Sequence, residues 1–131
     1  MHKVVLDTSV LVSSLLFGGV PRGVLDKILT GQVASGTSPA LIEELLGILR
    51  TKFHLSDVEL VAMQQGVLDT FTLVMPQKTI TVLKDKPDNR VLEVAIEGNC
   101  GVIITGDKQF LELKTFRGIA ICSPRQFLDK L

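Results

Sequence analysis

Three aspartates stand at the borders of apolar segments in this 131-residue chain: Asp7 in KVVLDTSVLVSSLLF, Asp88 in KDKPDNRVLEVA and Asp107 in VIITGDKQF. A carboxylate closing a run that otherwise reads as buried core requires a reason. Brought together, such acids repel and raise one another's pKa, so something positive must compensate. Hard divalent cations such as Mg²⁺ and Mn²⁺ take oxygen ligands from a few carboxylates, waters and substrate phosphate, whereas zinc favours histidine or cysteine. His2 and His54 lie in no metal-ligand pattern, and Cys100 and Cys122 have no CxxC spacing. Zinc and a disulfide framework are therefore set aside, and both thiols are expected to be reduced core residues.

For the acids to meet, the chain must carry them to one place. Short β-branched runs alternate with helical patterns, the sequence form of βαβ units and a parallel sheet. Strands are expected at about Lys3 to Leu6, Gln32 to Ser35, Thr72 to Met75, Gly101 to Thr105 and Ile119 to Cys122. One helix opens at Ser38-Pro39 and turns Leu41, Ile42, Leu45, Ile48 and Leu49 inward. Another follows a capping box, Ser56 with Glu59, stapled by Leu55 and Leu60; Leu60, Val61, Val67, Leu68 and Phe71 should face the core. A third runs from Asp88 to Gly98, and a last from Ser123-Pro124 through Phe127 and Leu128. The stretch FGGVPRG, residues 17–23, reads as a break between the first helix and one over Val24 to Thr30.

This is the pattern of an α/β fold, a three-layer α/β/α sandwich around a parallel sheet of four to five strands, in a single domain spanning residues 1–131. Ligands of open parallel sheets bind outside the carboxyl ends of the strands. Asp7 and Asp107 each follow a strand there, and a right-handed crossover returns the start of the Asp88 helix to the same rim. Each acid also has a plainer use. Asp7 can cap the next helix with Thr8 and Ser9, Asp88 is a suitable cap, and Asp107 can start a short helix. Glu43 and Glu44 flank the apolar stripe of the Ser38 helix on opposite sides, so helix geometry does not choose between them.

Composition excludes some classes. Nearly half the residues are apolar, at 46%, which requires a folded chain and not a disordered tail. Fourteen basic residues balance fourteen acidic ones, so no global basic field marks a nucleic-acid binder, though a local patch is compatible. There is no Trp or Tyr, and the six Phe mostly sit in apolar patterns, which argues against gripping bases by aromatic stacking. No stretch approaches the roughly 20 apolar residues of a membrane span, and no basic segment leads into a cleavable apolar one, so a cytoplasmic location is expected. A phosphatase of the haloacid-dehalogenase kind would want a second acid where Ser9 stands. A receiver domain would want paired acids at the first strand's end, and a Rossmann binder would want GxGxxG after that strand.

Taken in order, VVLDTSVLVSSLLF, SPALIEELLGIL, DKPDNRVLEVA, VIITGDKQFLELK and SPRQFL resemble the motifs of PIN-domain nucleases, especially the small single-domain group that act as toxin components of toxin-antitoxin pairs. The resemblance spans almost the whole chain. It implies a metal-dependent endoribonuclease whose catalytic, metal-holding acids are Asp7, Glu44, Asp88 and Asp107; the family pattern EEL, with its functional acid before leucine, selects Glu44 over Glu43. Thr8 or Ser9, Asp85, Asn89 and Thr105 take supporting positions, with Ser9 standing where family members often carry Asn. In two-metal hydrolysis one ion activates a water and another, about 4 Å away, stabilises the leaving oxygen. The resemblance also implies an RNA substrate, a protein antitoxin and a homodimer. Lys84, Lys86, Arg90 and Lys108 lie beside the acids and are expected to meet flanking phosphates. The competing reading is a non-catalytic RNA- or protein-binding module of the same fold, against which the intact acid quartet argues.

Overall fold

The computed structural model describes residues 2–131. Its sheet is built in the order β3-β2-β1-β4-β6-β5 from β1 (His2–Leu6), β2 (Val33–Thr37), β3 (Thr72–Leu73), β4 (Val102–Ile104), β5 (Thr115–Phe116) and β6 (Ile119–Cys122). Every pairing is parallel except that of β5 with β6. The helices are α1 (Thr8–Leu16), α2 (Val20–Leu29), α3 (Pro39–Thr51), α4 (Asp57–Thr70), α5 (Lys86–Glu97), α6 (Lys108–Glu112) and α7 (Pro124–Lys130).

Alternation along the central strands divides the core into two layers. Val4, Leu6 and Ile104 join Val10, Leu11, Val24, Leu25, Leu45 and Phe127 on one face of the sheet. Val5 and Ile103 point the other way, into Val91, Leu92, Val94 and Phe110. Strands buried on both faces read as continuous apolar runs, which is why KVVL and VII carry no polar alternation. The α/β/α sandwich expected from the sequence is thus the fold, and both free cysteines are buried in it. Among the described residues no single helix is long and apolar enough to cross a membrane.

Several boundaries differ from expectation for identifiable reasons. The chain forms five parallel strands and adds β5, which pairs antiparallel with β6 through Arg117 and Gly118, both at positive φ. Two left-handed residues in a two-residue loop give the hairpin turn that matches strand twist, and Gly118 supplies one of them without strain. Helix α2 begins at Val20 under a Gly19 cap, so Pro21 lies inside its first turn and the break shrinks to the residues before it. Helix α5 likewise starts at Lys86, with Pro87 in its first turn and Asp85 at the cap position, so Asp88 is not a cap. Proline's fixed φ suits a first helical turn, and it draws the start of both helices upstream. Leu60 and Val67 of α4, and Phe71 directly after it, are buried as expected, but Val61 is 66% and Leu68 40% exposed.

The serine caps expected from the sequence formed. Ser56 and Glu59 make the reciprocal capping box, and Ser38 Oγ accepts the Leu41 N–H at 3.2 Å. The Ser38 hydroxyl is buried, so Ser38→Ala is expected to cost about 1 kcal/mol in urea unfolding, the usual value of a lost N-cap. A loss below a few tenths would show that water replaces the hydroxyl.

Candidate active site

The strand order reverses between β1 and β4: the chain builds β2 and β3 on one side of β1, then places β4 and β6 on the other. Such a switch point leaves a crevice at the carboxyl ends of the two strands. Asp7 follows β1 immediately, its N–H donating to Ile104 O at 2.9 Å and so extending the β1–β4 ladder by one residue. Asp107 lies three residues beyond β4. Helix α5 brings Asp85 and Asp88 to the same edge, and α3 brings Glu44.

Asp85, Asp88 and Asp107 present carboxylate oxygens all within 4.8 Å of one another. Asp88 is 7% exposed. Burial, followed by the charges of Asp7, Asp85 and Asp107, pushes its pKa from 3.8 up to about 7. Asp7 is also buried, and its carboxylate is not spent on capping α1. It accepts instead from Thr105 Oγ1 at 2.7 Å, while Thr105 Oγ1 accepts the Asp107 N–H at 3.1 Å. Burial raises the Asp7 pKa, with the Asp107 charge adding; the Thr105 hydroxyl and the neighbouring Ser9 and Thr8 N–H groups pull it back. Glu44 is raised in the same way by burial and by Asp7 and Asp85, with the Thr8 hydroxyl opposing. Its neighbour Glu43 is exposed beside Leu46, Gln64 and Leu68. Tertiary packing thus separates two acids that helix periodicity left equivalent.

Asp107 does both jobs open to it, since its Oδ1 also accepts the Gln109 N–H at 3.0 Å to cap α6. Asp85 stands in the closest group of acids, beyond the supporting place the sequence reading gave it. The signal was available: DKPD puts two aspartates three residues apart across a proline that favours a first turn, and i,i+3 positions share a helix face.

Not every nearby polar group faces the acids. The Asn89 amide is occupied on both sides by one residue, taking the Leu83 N–H and donating to Leu83 O, each at 2.8 Å. Arg90 donates to Ile80 O at 2.9 Å and pairs with Glu93 at 2.8 Å. Glu93 in turn accepts the Ile80 N–H at 2.8 Å, and Glu97 accepts the Gln77 N–H at 2.9 Å. Asn89, Glu93 and Glu97 repeat every fourth residue, so one stripe of α5 pins the irregular segment that leads from β3 to Asp85. Lys84, Lys86 and Lys108 are exposed, and among the described residues none of them is in a salt bridge; Ser9 is exposed at the rim.

The chain matches the sequence profile of the PIN domain over residues 3–109. It belongs to the PIN domain family. The matched span covers the four acids named from the motifs, together with Asp85 and Thr105. An uncharacterized protein of Methanocaldococcus jannaschii is 29% identical to this PIN domain over 117 residues, which cover 86% of the present chain and 75% of that protein. PIN domains are commonly metal-dependent nucleases. The donor set here fits such a metal: it is all carboxylate oxygen, and burial together with the neighbouring carboxylates pushes the pKa of Asp88 up to about 7, a crowding that a cation would relieve. A neutral Thr105→Val substitution removes the donor that orients Asp7 without changing charge. It is expected to lower Mn²⁺ affinity by about 10- to 100-fold in calorimetric titration, the usual cost of losing a group that positions a ligand. Unchanged affinity would place Asp7 outside the ion's reach.

Proposed function

We propose that this PIN domain is an endoribonuclease that hydrolyses phosphodiester bonds in RNA, and that it serves in the cytoplasm as the toxin component of a toxin-antitoxin pair. The observation that carries the reading is the convergence of Asp85, Asp88 and Asp107 at the switch point, with Asp7 and Glu44 close enough to act on their charges. Five acids at one strand edge make a poor core and a good cradle for Mg²⁺ or Mn²⁺. When bound, such an ion supplies an activated water and neutralises charge developing at phosphorus.

The chain's own groups divide the remaining work. Asp7, Glu44, Asp88 and Asp107 hold the cation, and Asp85 joins them from the cap of α5. Thr105 fixes the Asp7 carboxylate, and Thr8 does the same beside Glu44. The exposed Lys84, Lys86 and Lys108 take phosphates on either side of the scissile bond, while Arg90 is committed to Ile80 and Glu93 and drops out of that set.

The test is incubation of purified protein with single-stranded RNA and Mn²⁺, with and without chelator, beside Asp88→Asn. Cleavage abolished by both changes is expected. Cleavage that survives either one would indicate a contaminant and favour a non-catalytic binding module. Lys84→Gln with Lys86→Gln should weaken RNA binding and shrink the slope of log affinity against log salt by about 1.4, at roughly 0.7 per phosphate on a single strand. An unchanged slope would remove both lysines from the RNA contact. An antitoxin and a homodimer complete the proposal.

A further inference from the structure

Helix α1 carries Ser9, Ser13 and, at its end, Phe17 at four-residue intervals, so the three share a face that runs away from the acids. Ser9 and Ser13 border two hollows. One, of about 420 Å³, is shared with Gly106, Asp107 and Pro124. The other, of about 430 Å³, is lined by Val12, Phe17, Ile48, Lys52 and Phe53. Eight residues of helix separate its two ends by roughly 12 Å, so the second hollow is the next place a strand leaving the acids would reach.

What lines that hollow is unusual for this chain. Phe17 is 55% exposed, although the apolar run before it made it read as core. Its ring meets Phe53 edge-on, with centroids 5.8 Å apart and planes at 60°, and the Lys52 ammonium stands 5.7 Å from the Phe53 centroid. An exposed phenyl ring backed by a second, an ammonium beside them and two hydroxyls in one groove are the elements by which proteins hold a single strand: a ring for a base face, a cation for the backbone. A docked apolar helix would have no use for the ammonium or the hydroxyls.

We propose that the exposed face of the Phe17 ring, in the hollow it lines with Phe53, stacks one unpaired nucleobase of the RNA adjacent to the scissile phosphate, with Lys52 on the neighbouring phosphate. The proposal rests on the nuclease reading and adds to it a base contact that only an unpaired nucleotide can make, because a base inside a duplex cannot reach the rings. It also reverses, for one site, the expectation that this chain does not grip bases by stacking.

The experiment measures binding and cleavage separately. A fluorescein-labelled eight-nucleotide RNA is titrated in chelator and followed by anisotropy with wild type, Phe17→Ala and Phe17→Trp. Phe17→Ala is expected to weaken binding about tenfold, Phe17→Trp to retain or improve it, and a duplex of the same sequence to bind without regard to residue 17. Placing an abasic nucleotide at successive positions should reproduce the tenfold loss at one position with wild type and cause no further loss with Phe17→Ala. Equal binding by wild type and Phe17→Ala, or a loss that the abasic series does not reproduce, would overturn the subsite. So would an oligomeric state that changes in Phe17→Ala while RNA affinity stays constant, which would make this face a contact between copies. Phe17-dependent binding by a wild type that cleaves nothing in Mn²⁺ would overturn the nuclease reading instead.

Discussion

Asp88→Asn is expected to lower RNA cleavage by at least about 100-fold and, in the absence of metal, to make the protein more stable. On the proposed metal-dependent mechanism the first effect follows from removing one of the carboxylates that would hold the cation, since metal stabilisation of a phosphoryl transition state is worth several kcal/mol and each 1.4 kcal/mol is tenfold in rate. The second follows from the raised pKa. Between 3.8 and about 7 the folded chain keeps a proton on Asp88 that the unfolded chain has released. Metal-free wild type therefore loses stability as pH climbs through that interval, and the loss is complete above about 7. Thermal unfolding in chelator at pH 8 should show a higher Tm for Asp88→Asn than for wild type, with the gap closing as pH approaches 4. Adding Mn²⁺ at pH 8 should raise the wild-type Tm through preferential binding to the folded state and leave the variant nearly unmoved. Equal Tm values in chelator at pH 8, together with retained cleavage, would place Asp88 outside the metal site.

Glu93→Ala touches none of the site acids and is still expected to cost about 3 kcal/mol. Its carboxylate is buried and satisfies two groups at once, the Ile80 N–H and the Arg90 guanidinium. Removing it strands a backbone donor and leaves a half-buried cation without its counterion. The figure lies at the low end for a broken buried pair because Arg90 keeps some contact with water. The consequence reaches the site through the chain: with the Ile80 N–H unpaired and Arg90 without its counterion, the middle of the three anchors ahead of Asp85 is weakened. Urea unfolding should report the lost stability, protease nicking between residues 76 and 84 should accelerate, and Mn²⁺ affinity should fall in protein that remains folded. Glu93→Gln keeps an acceptor for Ile80 and should recover part of each effect. Unaltered nicking and metal affinity in Glu93→Ala would show that the segment is held by other means.

What the sequence made legible follows from how local each determinant is. The apolar runs of β1 and β4, the Ser38 and Ser56 caps and the placement of Asp7 after a strand depend on neighbouring residues, and these were readable. The proline-initiated starts of α2 and α5 were readable in principle, but Asp88, which reads as a cap, masked the upstream start of α5. The Arg117-Gly118 turn was short enough to pass for loop, so β5 escaped notice. Two features lay beyond local pattern. Glu43 and Glu44 differ only in what packs beside α3, and the Thr8 hydroxyl that meets Glu44 is 36 residues away in sequence. Asn89, Arg90 and Glu93 carry charge or amide chemistry next to the motif of Asp85 and Asp88, and only the path of the preceding segment shows that their hydrogen bonds go to it.

The bond between Thr105 and Asp7 joins groups 98 residues apart. β1 lies in the middle of the sheet, so its second neighbour, β4, is one of the later parts of the chain to be made. At about 5 to 20 residues per second, a ribosome spends several seconds or more between the codon for Asp7 and the codon for Thr105. Throughout that interval the nascent polypeptide has one wall of its cleft and not the other. Products of premature termination upstream of residue 105 lack both the Thr105 hydroxyl that meets Asp7 and the Asp107 carboxylate, so the group of acids is assembled only once the fourth strand has been made.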